Sequence, residues 1–129
     1  MNTKLLMSIS AVLLGATGIA LTFMPGEVSH VLNLPGSNSI VFQVLGALYF
    51  GFAMLNWTAK GNLMGGIYSR PVAIANFSHF VIGGLALIKL AIHNPGWSAG
   101  SICAAVYLIF ASLFGWVFFN NPVVANKSM

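Results

Sequence analysis

The sequence predicts an all-α fold, an integral membrane four-helix bundle with a short interfacial helix in the first external loop. Of its 129 residues, 58% are hydrophobic and only 5% are charged, whereas a soluble domain carries about 25% charged residues. Such a chain cannot coat a water-soluble globule, which excludes soluble enzymes, DNA-binding domains and disordered linkers. The five cations are scattered singly, so nucleic acid is not an expected partner. Residues 1–129 are predicted to form one domain.

Four long apolar runs are the second observation that predicts this fold, at residues 5–24, 40–57, 71–92 and 97–119. A helix needs about 20 apolar residues to cross the hydrocarbon core of a bilayer. Strands of a membrane barrel would be about 10 residues long and would alternate in polarity. These runs are about twice that length and do not alternate. The first run exceeds the roughly 7–15 residues of a signal-peptide core, so it is predicted to be a retained span.

The positions of the cations predict the orientation. Lys and Arg favour the cytoplasmic side of short loops, and an even number of spans places Lys4, Lys60, Arg70 and Lys127 on one side. We therefore expect a multi-pass protein of the cell (inner) membrane with both termini cytoplasmic. Arg70 is interpreted as a cation that sets topology, or alternatively as a ligand for a lipid phosphate or another subunit's carboxylate. Lys89 is expected to extend its side chain to the outer interface.

The first external loop is predicted to contain the short interfacial helix. Pro25 and Glu27 both favour a first helical turn. Three apolar residues then fall on one face: Val28, Val31 and Leu32. A short amphipathic helix lying in the interface is one interpretation, and an ordinary structured loop is the other.

Small residues recur along spans one and four. In span one they are spaced at three and four residues: Ser8, Ala11, Gly15, Gly18 and Thr22. Span four carries a similar set: Gly100, Ala104, Ala111 and Gly115. In lipid, helices associate where small residues let the backbones approach closely, so these stripes are expected to pack on neighbouring spans. Cys103, the only cysteine, is expected to be a packed thiol.

Polar residues inside spans two and three are the candidate functional residues. Gln43, Tyr49 and Asn56 lie in span two, and Asn76 and His79 lie in span three. At 100° per residue, one face of span two is predicted to hold Gln43, Gly46, Phe50, Ala53 and Trp57, with Tyr49 and Asn56 at its edge. On span three, one arc is predicted to hold Asn76, His79, Gly83, Ala86, Leu90 and His93. Interhelical hydrogen bonds and a polar path remain the two hypotheses for these groups.

Among the side chains in the spans, His79 is the strongest candidate for acid–base chemistry. It lies about 12 Å along the helix axis from Pro71, close to mid-membrane, where an ionisable side chain is a functional candidate. The alternative is a neutral imidazole that bonds to Asn76, Tyr49 or a carbonyl and holds the bundle in register. No metal site is predicted, because His79 and His93 are about 21 Å apart on one helix. The sequence identifies no cofactor.

Several short motifs resemble those of the DoxX-like small four-helix bacterial membrane proteins. The similar elements are Phe23-x-Pro25, the helix leading to Leu34-Pro35, and Gly46-Ala47 with Gly51 in span two. They cover roughly residues 5–55, and the four-span layout covers the whole chain. Where many relatives place an Arg ahead of the span-two glycines, this chain has Gln43. The resemblance implies a cytoplasmic-membrane bundle that acts as an accessory subunit of redox or thiol-linked systems, and it transfers no catalytic residue.

Three functions remain open from the sequence. The first is a non-enzymatic accessory or scaffold subunit that packs with other membrane proteins. As a separate expectation about partners, the chain lies in the lipid bilayer as a homo-oligomer or together with another membrane protein. The second is a carrier or oligomeric pore for a small solute or lipid, with a polar path lined by Gln43, Asn56, Asn76 and His79. The third is a membrane-embedded enzyme acting on a lipid or quinone, with His79 as acid/base and Tyr49 or Asn76 orienting it.

Overall fold

A computed structural model describes residues 2–62 and 69–120. Its regular elements in these ranges are five helices: α1 (Thr3–Phe23), α2 (Pro25–Val31), α3 (Ser39–Ala59), α4 (Arg70–His93) and α5 (Ser98–Phe119). The four longer helices have the length and apolar composition of membrane spans, so the chain is a multi-pass membrane protein. The predicted all-α four-helix fold is confirmed. Lys127, one of the cations used to predict orientation, lies outside the described residues.

Side chains and prolines define where the long helices begin. The Asn2 side chain accepts a hydrogen bond from the backbone N–H of Leu5 at 3.1 Å, and the Asn38 side chain accepts one from Ile40 at 3.2 Å. These asparagines satisfy backbone donors that have no partner in the first turn. In α4 a proline occupies the first turn, where its missing N–H costs nothing.

The predicted short helix forms as α2, and the loop after it is closed by two serines. The carbonyl of Leu34 accepts the hydroxyl hydrogens of Ser29 at 2.8 Å and Ser37 at 2.7 Å. The chain reverses through Asn33 and Gly36, whose φ angles are 51° and 80°. A glycine adopts this left-handed conformation without steric cost. Because Pro25–Val31 is an α-helix, the helical interpretation of this segment is confirmed.

The α1 and α3 helices pack along each other through their small residues. A Cβ added at Gly18 would lie 2.8 Å from the carbonyl oxygen of Gly46, and one added at Gly46 would lie 2.7 Å from that of Gly18. At Gly15 an added Cβ would lie 3.4 Å from the Cβ of Ala53, an ordinary contact. The packing role predicted for the small-residue stripe of span one is confirmed.

The α4 and α5 helices form a second pair, and here glycines accommodate aromatic rings rather than backbone. A Cβ at Gly83 would lie 2.6 Å from Cε1 of Tyr107, and one at Gly115 would lie 2.9 Å from Cε2 of Phe77. The ring of Trp97 covers Gly100 in the same way. At these three glycines the neighbouring atoms therefore belong to aromatic side chains rather than to the backbone.

Stacked phenylalanines fill the centre of the bundle. Phe80 and Phe114 have no exposed surface, and their ring centroids are 5.7 Å apart with planes at 11°. Phe80 also stacks on Phe110, at 4.9 Å and 18°. Leu14 and Met7 of α1 belong to the same core cluster. Because bulky rings fill this space, the two helix pairs meet mainly through side chains.

The loops at the end of the bundle that contains α2 are connected through Trp97. Its indole Nε1–H donates a hydrogen bond to the carbonyl of Leu32, which links the α4–α5 turn to the end of α2. The Trp97 side chain is only 8% exposed. Trp97 therefore ties two loops together at this end of the fold.

Candidate functional site

Two asparagine side chains form a buried reciprocal pair between α3 and α4. The Asn56 amide nitrogen donates to the Asn76 side-chain oxygen at 2.8 Å, and the Asn76 amide nitrogen donates to the Asn56 oxygen at 2.6 Å. Both residues are fully buried, with 0% exposure. The pair joins the α1–α3 half of the bundle to the α4–α5 half.

The remaining amide hydrogens of this pair also have partners. Asn56 donates to the hydroxyl of Ser10 at 3.0 Å, and Asn76 donates to the carbonyl of Val72 at 2.9 Å. Ser10 in turn donates to the carbonyl of Met7 at 3.0 Å. Each amide group has two N–H donors, and all four are used. This network is therefore satisfied within the bundle, as a polar group remote from water requires.

A second polar cluster joins α3, α4 and α5 through Tyr49, His79 and Tyr107. The hydroxyl groups of Tyr49 and Tyr107 are hydrogen-bonded to each other. The Tyr107 hydroxyl also lies 3.4 Å from Nε2 of His79. The three side chains therefore form a chain of hydrogen-bonding groups from α3 through α5 to α4.

Aromatic side chains hold the imidazole of His79 in position. Its ring stacks on Phe52 with centroids 5.0 Å apart and planes at 28°. Tyr49 and Phe80 meet it edge to face, at centroid distances of 5.2 Å and 5.1 Å. Of the partners expected for His79, Tyr49 is a ring contact and Asn76 belongs to the separate buried pair.

An open groove of about 470 Å³ runs beside this cluster between α3 and α4. We call it the α3–α4 groove; it is lined by Leu45, Leu48, Tyr49, Phe52, Ala75, Ser78, His79, Ile82, Gly83, Leu87 and Tyr107. Leu48 and Ile82 at its edge are 53% and 69% exposed. Because both belong to membrane-spanning helices, the groove opens sideways toward lipid.

Another cavity, of about 550 Å³, lies at the end of the bundle near the α4–α5 turn. Its lining includes Asn33, His93 and Trp97. The Nδ1 atom of His93 lies 2.7 Å from the carbonyl oxygen of Lys89, within its own helix. This cavity is far along α4 from His79, so it is separate from the α3–α4 groove.

The structure does not bring all of the predicted residues together. Gln43 is exposed on α3, apart from both polar clusters. Arg70 begins α4 and is exposed, and Lys89 is exposed near the other end of that helix. Cys103 is half-buried. The only predicted candidates that share a cluster are Tyr49 with His79 and Asn56 with Asn76.

The faces grouped from the sequence do not coincide with the buried faces of the two helices. On α3, Phe50 and Trp57 are 45% and 48% exposed, whereas Asn56 is fully buried. On α4, the buried residues are Ala73, Asn76, Phe80 and Gly84, whereas the predicted face included Ala86, Leu90 and His93, which are exposed. On α3, Gly46 lies against the backbone of α1, and Asn56 is hydrogen-bonded to Ser10 and Asn76.

Two residues of these clusters, Ser10 and Tyr107, were not predicted from the sequence. Ser10 lies beside the small-residue stripe of α1 and is fully buried. Tyr107 lies near the middle of α5. A tyrosine hydroxyl at that depth needs a hydrogen-bond partner, and that requirement was the available signal.

Comparison with family models, curated proteins and solved structures found no match. The resemblance to DoxX-like proteins remains a prediction from the motifs. Within residues 2–62 and 69–120, no three or more His, Cys, Asp or Glu side chains are grouped closely enough to hold a metal ion.

Proposed function

We propose that this protein is a non-enzymatic accessory or scaffold subunit that packs against a transmembrane helix of another membrane protein. The observation that carries this proposal is a small-residue face on the outer side of α3. Ala47 and Gly51, four residues apart, are both exposed, and a Cβ added at Gly51 would meet nothing within 4 Å. Small residues at this spacing let a second helix approach closely in lipid.

The satisfied network of Asn56, Asn76 and Ser10 supports the same proposal. Asn56, Asn76 and Ser10 use their amide and hydroxyl hydrogens on each other and on backbone carbonyls. The outer surface of the spans is then largely apolar, as a helix-packing subunit requires. The DoxX-like motifs over roughly residues 5–55 agree, because that resemblance implies an accessory subunit of redox or thiol-linked systems.

The separation of the polar residues disfavours the carrier or pore hypothesis. Such a path needs Gln43, Asn56, Asn76 and His79 to face one water-accessible cavity. Asn56 and Asn76 are fully buried, His79 lines the α3–α4 groove, and Gln43 is exposed elsewhere on α3. The described residues therefore form two unconnected polar groups.

Purification of the tagged full chain from its native membranes in mild detergent tests the proposed function. We expect a foreign membrane protein to copurify in a fixed ratio. Gly51→Leu should reduce that ratio at least about ten-fold, because a bulky side chain prevents close helix approach. Ala105→Leu, an exposed position on α5, is the matched control and should leave the ratio unchanged. A homo-oligomer without a foreign partner, or equal recovery with Gly51→Leu, would contradict the proposal.

The proposed location is the cytoplasmic membrane, with both termini on the cytoplasmic side. In a Cys103→Ala background, a membrane-impermeant thiol reagent applied to intact cells should label His30→Cys and not Asn62→Cys. Both positions are exposed in the structure, and they lie on opposite sides of the membrane in the predicted orientation. Both should be labelled after permeabilisation. Labelling of Asn62→Cys alone in intact cells would show the reverse orientation.

A further inference from the structure

The cluster of Tyr49, His79 and Tyr107 lies near the middle of the membrane. His79 is nine residues from the start of α4 and Tyr107 is nine residues from the start of α5, which places each about 14 Å along its helix. The hydrocarbon core of a bilayer is about 30 Å thick. The hydrogen-bonding atoms of the cluster are therefore remote from both interfaces.

One hydrogen-bond donor of this cluster is left without a partner inside it. Two tyrosine hydroxyls and a neutral imidazole carry three donor hydrogens, but only two contacts join the three groups: Tyr49 with Tyr107, and Tyr107 with His79. Whichever way each bond points, one O–H or N–H remains. Nδ1 of His79 has no hydrogen bond among the described residues either, so the leftover donor has no protein acceptor in this cluster.

The α3–α4 groove places that donor next to a space that a ligand can enter. Its volume of about 470 Å³ lies within the range of about 300–1,000 Å³ found for small-molecule sites. All three polar side chains line it, together with apolar residues such as Leu48, Phe52 and Ile82. An apolar wall with few convergent polar groups is typical of such sites.

The depth of the donor selects the class of ligand. A phospholipid keeps its charged headgroup at the interface, because moving a charge to the bilayer centre is costly. A neutral molecule with a single polar oxygen can place that oxygen at mid-membrane. The donor requires an acceptor, and a carbonyl or hydroxyl oxygen supplies one.

We propose that the α3–α4 groove binds a neutral lipid-soluble molecule whose carbonyl or hydroxyl oxygen accepts a hydrogen bond from the Tyr49–His79–Tyr107 cluster. The apolar body of the molecule lies against Leu48, Phe52 and Ile82. The proposal does not depend on the accessory-subunit function, because the exposed Gly51 face and the groove are lined by different residues.

Photolabelling of the purified full chain in lipid nanodiscs tests this proposal. The probes are a long-chain alcohol that carries a diazirine and the matching diazirine alkane without oxygen. In the wild-type protein the alcohol should label groove residues about five-fold more efficiently than the alkane, the effect expected of one hydrogen bond. A diazirine-bearing phosphatidylcholine should label these residues less than the alcohol does.

Two variants test the contributions of the groove and of its hydrogen-bond donors separately. The triple variant Tyr49→Phe, His79→Leu and Tyr107→Phe removes all three donors and should abolish the preference for the alcohol. Ile82→Trp fills the groove and should reduce labelling by both probes, whereas Ile102→Trp, 65% exposed on α5, is the matched control and should not. Equal labelling of the wild type by alcohol and alkane, or labelling unaffected by Ile82→Trp, would overturn the proposal.

Discussion

Gly46→Val is expected to separate α1 from α3 and to lower the free energy of unfolding by about 2–3 kcal/mol, the upper part of the usual overpacking range. A Cβ at this position would lie 2.7 Å from the carbonyl oxygen of Gly18 and 2.9 Å from the backbone nitrogen of Thr22. These are backbone atoms, so no side-chain rotation relieves the clash and the helices must move apart. Denaturation of the purified protein by sodium dodecyl sulfate in mixed micelles measures the change.

Gly51→Ala is the matched control on the same helix. An added Cβ there meets nothing within 4 Å, and alanine has the higher helix propensity. We therefore expect an unchanged or slightly higher free energy of unfolding. A loss at Gly51→Ala as large as that at Gly46→Val would mean that α3 tolerates no side chain at either glycine, and the close contact with α1 would not be the cause.

Asn56→Leu is expected to lower the free energy of unfolding by about 1–2 kcal/mol. The substitution removes both bonds of the reciprocal amide pair and the bond to Ser10. The Asn76 amide then remains fully buried with one donor and its acceptor unpaired, and an unsatisfied buried polar group is the main cost. The same denaturation experiment measures the effect.

The double variant Asn56→Leu/Asn76→Leu distinguishes the cost of an unpaired buried amide from the cost of replacing the side chains themselves. Because neither amide is then left unpaired, we expect it to lose less stability than the sum of the two single variants. Asn62→Leu, at an exposed position just after α3, is the control and should change stability by less than about 0.5 kcal/mol. Strictly additive single losses would show that the two amides do not interact.

The predicted spans agree with the observed helices to within a few residues, because crossing the hydrocarbon core requires a long apolar run. The helix from Pro25 was also predictable, since its first-turn residues are local signals. The small stripe of α1 indicated close packing, and Gly18 is in that contact. These features depend on residues that are close together in the chain, so they can be predicted from the sequence alone.

The buried faces of the spans were predicted less well. In a soluble helix the polar face marks the side that meets water, but lipid-facing and core-facing residues are both apolar here. The face grouped from the sequence on α3 therefore combined Gly46 and Ala53, which are buried, with Phe50 and Trp57, which are about half exposed. Tyr107 was overlooked because its hydroxyl partners come from two other helices.

The sequence by itself determined that this protein lies in a membrane as four helical spans, and it left a short helix or a structured loop open after the first. Only the tertiary structure decided that α1 pairs with α3 and α4 with α5, that Asn56 meets Asn76, and that Tyr49, His79 and Tyr107 line one groove. The physical reason is that hydropathy along the chain decides which segments enter lipid. Which faces then meet depends on backbone approach at positions such as Gly18 and Gly46, far apart in sequence.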